Sequence, residues 1–166
     1  MKKTLNIHPD ALYDSEYIDC LLETEDYKTP ELALKGDYKH EKGVTVVLNP
    51  APAAKLPKDL YRRLDWITPN ETEAELLTGV KVEDAAGAAR AVSVLRRRGV
   101  KHVLVTMGSK GVFCGDCGKL FPCRRVRAVD CVAAGDTFNG AFVVAISEGR
   151  TMPEAIDFAQ KAPPFP

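Results

Sequence analysis

The chain lacks three features that would each place it in a particular class of protein. It has no excess of charge, because 23 basic residues balance 23 acidic ones, and this balance gives no electrostatic reason to expect a nucleic-acid or membrane-surface partner. It has no apolar run long enough to cross a bilayer, since charged residues or prolines interrupt every such run. Acidic residues follow the basic start, Met1–Lys3, where a signal peptide would need an apolar core. We therefore expect a cytoplasmic protein.

Cysteine is scarce and odd in number, which disfavours a disulfide framework. The five cysteines, in a chain without a recognisable export signal, predict reduced thiols. Cys114 and Cys117 flank a Gly-Asp pair, and together with Cys123 and Cys131 they could offer four thiolates to zinc. A zinc ribbon usually has two tightly spaced pairs, whereas seven residues separate Cys123 from Cys131. The spacing therefore favours a Gly-Asp turn over a zinc site.

The composition is that of one globular domain with a sizeable core. Apolar residues make up 45% and charged residues 28% of the 166 residues, which excludes a collagen, a coiled-coil rod and a disordered tail. Residues 1–43 are polar and poorly periodic, with a weak indication of one short helix around 12–22. The periodicity sharpens after that segment, so we expect the folded domain over residues 44–166.

Short apolar strands alternate with amphipathic helices in this domain. Buried strands are predicted at 44–48, 64–68 and 103–106. Helices are predicted at 71–77, 84–98 and 135–148. Between the last strand and the last helix, residues 112–121 predict a hairpin that an edge strand through Val126 and Val129 continues. This alternation predicts an α/β fold with a parallel sheet and right-handed crossovers.

The second predicted helix ends in a basic triplet, Arg96–Arg98. Cations in the last turn of a helix complement the helix dipole, and clustered arginines can also bind nucleic acid. We predict a solvated turn matched to the dipole.

Three segments lie at the carboxyl ends of predicted strands, where open α/β sheets bind ligands. Asn70 and Glu73 are one helical turn apart, and they could orient magnesium-bound water or cap and charge the start of a helix. The Thr106-x-Gly-x-x-Gly111 segment could pass under phosphates or simply turn into the hairpin. Asp136 at a helix start could accept a proton or serve as an N-cap. Each segment alone is ambiguous, but their joint placement favours a ligand crevice.

Four motifs follow one another along the chain, at 49–53, 67–75, 106–111 and 128–140. In this order they resemble the ribokinase-like, or PfkB, superfamily of carbohydrate kinases, for which the last motif, with its Ala-Gly-Asp-Thr-Phe-Asn-Gly stretch, is highly specific. The resemblance is strong from about residue 44 to residue 160 and faint over 21–43. It implies an incomplete ribokinase-like sandwich with a parallel sheet. The activity that it implies is transfer of the γ-phosphate of ATP to the primary hydroxyl of a sugar, with D-ribose as the leading candidate.

The resemblance also implies roles for the residues at matching positions. Asp136 would contact the sugar hydroxyl as general base, and the amides of Ala133, Ala134 and Gly135 would form an anion hole. The residues that would lie along ATP are Asn70, Thr106, Gly108, Ser109 and Gly111.

Two cations are implied in the same way. Glu73 would position Mg²⁺ through a water molecule. Asp130 and Val132 would help to hold an activating K⁺, with Val132 in place of the threonine that is usual in the family.

The sequence departs from the family at both ends. No counterpart of the family's sugar pocket and lid is present, and the cluster at Pro163–Pro166 stands where a last helix and strand would complete the adenine pocket. We therefore expect the central to C-terminal part of a kinase, inactive on sugar by itself. The homodimer that the lid supports is expected of a longer kinase. The alternatives are a non-catalytic nucleotide-binding fragment and a kinase of the same superfamily for another sugar or a nucleoside.

Overall fold

The computed structural model describes residues 4–7, 45–123 and 134–162. In this part of the chain the strands are β1 (Thr4–Ile7), β2 (Thr45–Leu48), β3 (Trp66–Ile67), β4 (His102–Thr106), β5 (Val112–Cys114) and β6 (Lys119–Phe121). The helices are α1 (Glu71–Thr78), α2 (Ala85–Arg97), α3 (Ala134–Ser147) and α4 (Met152–Lys161). Two short 3₁₀ turns occupy Leu60–Arg63 and Gly108–Lys110.

The strands form a single mixed sheet in the order β1-β2-β3-β4-β5-β6. β1 to β4 run parallel, and the β5–β6 hairpin returns antiparallel to β4. This architecture confirms the predicted α/β fold with its parallel sheet and its hairpin. Because β2, β3 and β4 are parallel, their carboxyl ends meet at one edge of the sheet, where the three predicted site segments were expected to converge.

Side chains of the central strands alternate between two cores, one on each face of the sheet. Val46, Ile67 and Val103 point to the face that α1 and α2 cover. Val47 and Leu104 point to the other face, against α3 and α4. This period-two pattern is what strands buried on both faces require.

The helix predicted over 84–98 is α2. Its N-cap and its buried apolar stripe lie where the sequence predicts them. The side chain of Asp84 accepts a hydrogen bond from the Gly87 amide at 2.7 Å, which caps the helix. The stripe of Ala88, Val92 and Leu95 is buried against the sheet. Helix α1 ends at Gly79, which adopts a φ of +75° that favours glycine.

The structure differs from the sequence-based prediction in three elements. Strand β1 lies within the segment for which no strand was predicted, and it pairs with β2. Helix α4 was also missed, although Thr151 and Glu154 form a capping box at its start. Strand β3 begins later than predicted because the 3₁₀ turn Leu60–Arg63 occupies the residues before it, with Leu64 as its C-cap. The helix suggested around 12–22 and the edge strand through 126–129 lie outside the described residues. No helix in the described ranges is both long and apolar enough to span a membrane.

Candidate active site

The catalytic candidate Asp136 lies at the sheet edge, in contact with the end of β2. Asn49 directly follows β2 and is 9% exposed. Its Nδ2 donates a hydrogen bond to Oδ1 of Asp136, which is 87 residues away in the sequence, at 3.3 Å. Asp136 itself is exposed, in the first turn of α3. The contact holds one carboxylate oxygen and leaves the group exposed at this edge of the sheet.

Asn70 and Glu73 form a capping box at the start of α1. Oδ1 of Asn70 accepts a hydrogen bond from the Glu73 amide at 2.9 Å, and Oε2 of Glu73 accepts one from the Asn70 amide at 2.8 Å. The helix-cap interpretation of this pair is therefore present in the structure. Asn70 also pairs with Thr106 in a parallel bridge between the ends of β3 and β4, so the pair lies beside the glycine turn.

Three influences act on the ionisation of the Glu73 carboxyl. Glu73 is 5% exposed, and burial raises the pKa of its carboxyl above the usual value. The hydrogen bond from the Asn70 amide lowers this pKa, and the negative charge of Asp136 raises it. A nearby cation would therefore favour the ionised form of Glu73.

The turn after β4 contains two glycines, and the structure explains them in different ways. Gly111 has a φ of +112°, and a Cβ there would lie 2.0 Å from the carbonyl oxygen of Phe121. Packing against the end of β6 therefore explains this glycine. Gly108 has a φ of +51°, and a Cβ there would meet nothing within 4 Å. The space beside Gly108 is open to a ligand, as is the exposed Ser109, and the amide of Thr106 is held by the carbonyl of Pro69 at 2.9 Å.

The start of α3 is the other open part of the crevice. A Cβ on Gly135 would meet nothing within 4 Å, and the first amides of a helix have no partner within that helix. Within the described residues, Oγ1 of Thr137 and Oδ1 of Asn139 are buried without a hydrogen-bond partner. Ala134 begins the helix. Ala133 of the predicted anion hole, and Asp130 and Val132 of the predicted K⁺ site, lie outside the described residues.

Asn49 is the residue of this site to which the sequence interpretation gave no role. It belongs to the first of the four motifs and directly follows a buried strand, just before Pro50. A polar side chain in that position was the available signal. Its contact with Asp136 depends on which strand lies beside the start of α3, and this neighbourhood is a property of the whole sheet.

The cysteine segment forms a turn away from this crevice. Cys114 and Cys117 belong to the β5–β6 hairpin and its turn, where the Cys117 amide donates to Sγ of Cys114 at 3.2 Å. Burial is the largest cause that raises the pKa of the Cys114 thiol to about 12. In the described ranges no group of three or more His, Cys, Asp or Glu residues is placed to hold a metal. Cys131 lies outside them.

The described residues at this edge of the sheet include two open glycines and two carboxylates. The open glycines Gly108 and Gly135 allow phosphate oxygens to approach backbone amides. The exposed carboxylate of Asp136 directly follows Gly135, and a carboxylate can act as a proton acceptor. The buried carboxylate of Glu73 lies near enough to be affected by Asp136.

The chain is similar in sequence to known carbohydrate kinases. The sequence model of the pfkB family carbohydrate kinases matches residues 19–162. The chain is 47% identical over 146 residues to a ribokinase of Haemophilus influenzae, covering 87% of this chain and 48% of that protein. It is 37% identical over 156 residues to a ribokinase of Staphylococcus aureus, covering 92% and 50% of the two chains.

A solved structure shows the same arrangement of elements. The structure of Arabidopsis thaliana ribokinase complexed with ribose and ATP superposes with a TM-score of 0.68 at 34% identity, covering 78% of this chain and 43% of that one. This likeness confirms the ribokinase-like fold that the motifs implied. The chain spans about half the length of the curated relatives that it matches.

Proposed function

From its membership of the pfkB family of carbohydrate kinases, to which this chain belongs, we propose that it supplies the nucleotide side of an ATP-dependent ribokinase. The reaction is transfer of the γ-phosphate of ATP to the primary hydroxyl of D-ribose. The observation that carries the proposal is the convergence of Asp136, Glu73 and Gly108 at one edge of the sheet. The choice of ribose is supported by relatives that are themselves ribokinases.

Asp136 acts as general base in this proposal. The side-chain amide of Asn49 orients its carboxylate by donating to Oδ1. The carboxylate takes the proton from the sugar hydroxyl as the hydroxyl oxygen attacks the γ-phosphorus, and the bond from phosphorus to the β-phosphate oxygen breaks. Asn49 is thus a positioning residue, and Asp136 is the catalytic one.

Backbone amides stabilise the charge that develops on the transferred group. The first turn of α3, with Ala134 and Gly135, supplies amides that have no helical partner. Ala133, which precedes the helix in the sequence, would complete this anion hole. Thr106, Gly108, Ser109 and Gly111 run along the phosphates of ATP, and Asn70 contacts them from the start of α1. Gly108 and Gly135 carry no Cβ, and the space beside each of them is open. Phosphate oxygens can therefore reach the backbone there.

The acidic residues fit a magnesium ion. When bound, Mg²⁺ neutralises negative charge on the phosphates. Glu73 would position it through water, since a cation there would offset the mutual repulsion of Glu73 and Asp136. An activating K⁺ held by Asp130 and Val132 is a further part of the proposal, as are a cytoplasmic location and a homodimer of a longer kinase.

The proposal is tested by a chimera with a related ribokinase. Residues 45–162 of this chain replace the matching segment of the Haemophilus influenzae ribokinase, to which the chain is 47% identical. ADP release is then measured with ribose, Mg²⁺ and K⁺. We expect ribose-dependent turnover, and a loss of about 10²–10⁴-fold in the Asp136→Asn chimera. Nucleotide affinity should be equal in the two chimeras, because Asp136 contacts the sugar.

Three results separate the proposal from its alternatives. Equal turnover by the Asp136→Asn chimera would remove Asp136 as the base. A chimera that binds ATP but transfers no phosphate to any sugar would favour a non-catalytic nucleotide-binding role. Faster transfer to another sugar or to a nucleoside than to ribose would favour another acceptor within the same superfamily.

A further inference from the structure

A second cavity, of about 510 Å³, lies away from the candidate active site and carries a concentration of positive charge. Its walls include five cationic side chains, and Tyr61 with neighbouring leucines forms the apolar part. The cations are Lys55, Lys58, Arg62, Arg97 and Arg98. The cavity lies at the carboxyl ends of α1 and α2. Since a helix rises about 1.5 Å per residue, it is about 10 Å along α1 from the capping box.

Arg98 makes the contact that is usual for a cation at the carboxyl end of a helix. Its guanidinium donates to the backbone carbonyl of Leu77 in the last turn of α1. It also donates to the hydroxyl of Tyr61 at 3.3 Å and lies 5.3 Å from the centre of that ring. The prediction matched the arginine triplet to the dipole of its own helix, α2, whereas the side chain of Arg98 serves the carboxyl end of the neighbouring helix α1.

The neighbouring acidic side chains are engaged by other cations. Arg96, the first residue of the triplet, pairs with Asp116 on the hairpin turn. Asp59, beside the cavity, pairs with Arg63 at 3.4 Å. Among the described residues, no hydrogen bond or ion pair is made by the side chains of Lys55, Lys58, Arg62 or Arg97. Four positive charges thus face one cavity without a partner in that part of the chain.

The helix dipoles are too weak to balance this charge. Each helix carboxyl end is equivalent to about −0.5 of an elementary charge, so α1 and α2 together supply about −1 against five cations. The five cations are exposed to solvent, and a concavity lined by charges of one sign attracts ions of the opposite sign.

We propose that this cavity binds a compact phosphate compound with two or more negative charges. The volume is within the range of small-molecule sites, roughly 300–1,000 Å³, and the concavity is half open, so that a small anion can enter it from solvent. Arginine forks and lysine ammonium groups are the side chains that bind phosphate. The site is distinct from the proposed nucleotide site, because the two lie at opposite ends of α1.

The first test uses inorganic pyrophosphate as the probe and the ¹⁵N-labelled 166-residue chain. Two-dimensional NMR follows each backbone amide during the titration. We expect saturable shifts at Leu56, Arg62 and Arg97. Shifts confined to the Gly108 turn and the start of α3, or no shifts at millimolar pyrophosphate, would overturn the proposal.

The second test compares two arginines of the same helix. Arg97→Ala removes a cation from the cavity, whereas the control Arg90→Ala removes an equally exposed cation of α2 that is not part of its lining. We expect calorimetry to show pyrophosphate affinity about fivefold weaker in Arg97→Ala, the scale of one partly solvated charge contact. Lys58→Ala should act like Arg97→Ala, and Arg90→Ala should match wild type. Equal weakening by Arg90→Ala would show a nonspecific charge effect and would refute the site.

Discussion

Replacing Gly111 by alanine should lower the free energy of unfolding far more than the same replacement at Gly108, three residues earlier. At Gly111 the backbone has φ +112° and ψ −141°, a region that costs a non-glycine residue about 1–3 kcal/mol. The new Cβ would also lie 2.0 Å from the Phe121 carbonyl oxygen and 2.6 Å from the Cys123 amide nitrogen. Both neighbours are backbone, so relief requires the end of β6 to move, at a further cost of about 1–3 kcal/mol.

The sum for Gly111→Ala is a loss of about 2–6 kcal/mol in the free energy of unfolding. Gly108→Ala has only a left-handed backbone to accommodate, at about 1–2 kcal/mol, with no overlap. Urea denaturation followed by circular dichroism measures both variants against wild type. Equal losses in the two variants, or a stable Gly111→Ala chain, would refute the assignment of Gly111 to packing and of Gly108 to open space.

Three further predictions concern the core, the acidic pair and the thiols. Leu95→Ala, at a fully buried site, should lower the free energy of unfolding by about 2–5 kcal/mol in urea, whereas Leu76→Ala, 44% exposed, should lower it by less than about 1 kcal/mol; similar losses would contradict the described core. The folded state raises the pKa of Glu73 above 4.5. The contribution of Glu73 to the free energy of unfolding should therefore fall as pH rises through that raised pKa, and Glu73→Gln should lack this decline. Parallel pH profiles of stability for wild type and Glu73→Gln would contradict the prediction. With iodoacetamide at pH 8, mass spectrometry should find exposed Cys123 alkylated well before Cys114, whose pKa is about 12; equal rates would contradict this burial.

Local signals were sufficient for the central elements of the fold. Helix α2 has its cap and its buried stripe within fifteen consecutive residues, 84–98, so the sequence pattern predicts it without knowledge of the rest. Strands β2 and β4 are continuous apolar runs, which is typical of strands buried on both faces. Strand β1 is different, because four residues acquire their structure by pairing with β2, about forty positions later in the chain. Such long-range pairing leaves little trace in a short segment.

The sequence predicted the location of the site residues better than it predicted the contacts between them. Strand ends and motif order located Asn70, Thr106 and Asp136 at one edge of the sheet. The contact of Asn49 with Asp136 required the neighbourhood of β2 and α3 to be known. The different reasons for Gly108 and Gly111 also required the hairpin to be in place, since only then does the Phe121 carbonyl approach one of them.

The most direct test of the nucleotide site is MgATP binding by two matched glycine variants of α3. Gly135 and Gly140 lie in the same helix, and a Cβ on either would meet nothing within 4 Å. Alanine in a helix is more stable than glycine by about 0.5–1 kcal/mol, so both variants should fold at least as well as wild type. Calorimetry on the 166-residue chain should show MgATP binding at one site, about tenfold weaker in Gly135→Ala and unchanged in Gly140→Ala. Equal affinities in wild type and both variants, or no binding of MgATP by wild type, would contradict a phosphate site at the start of α3.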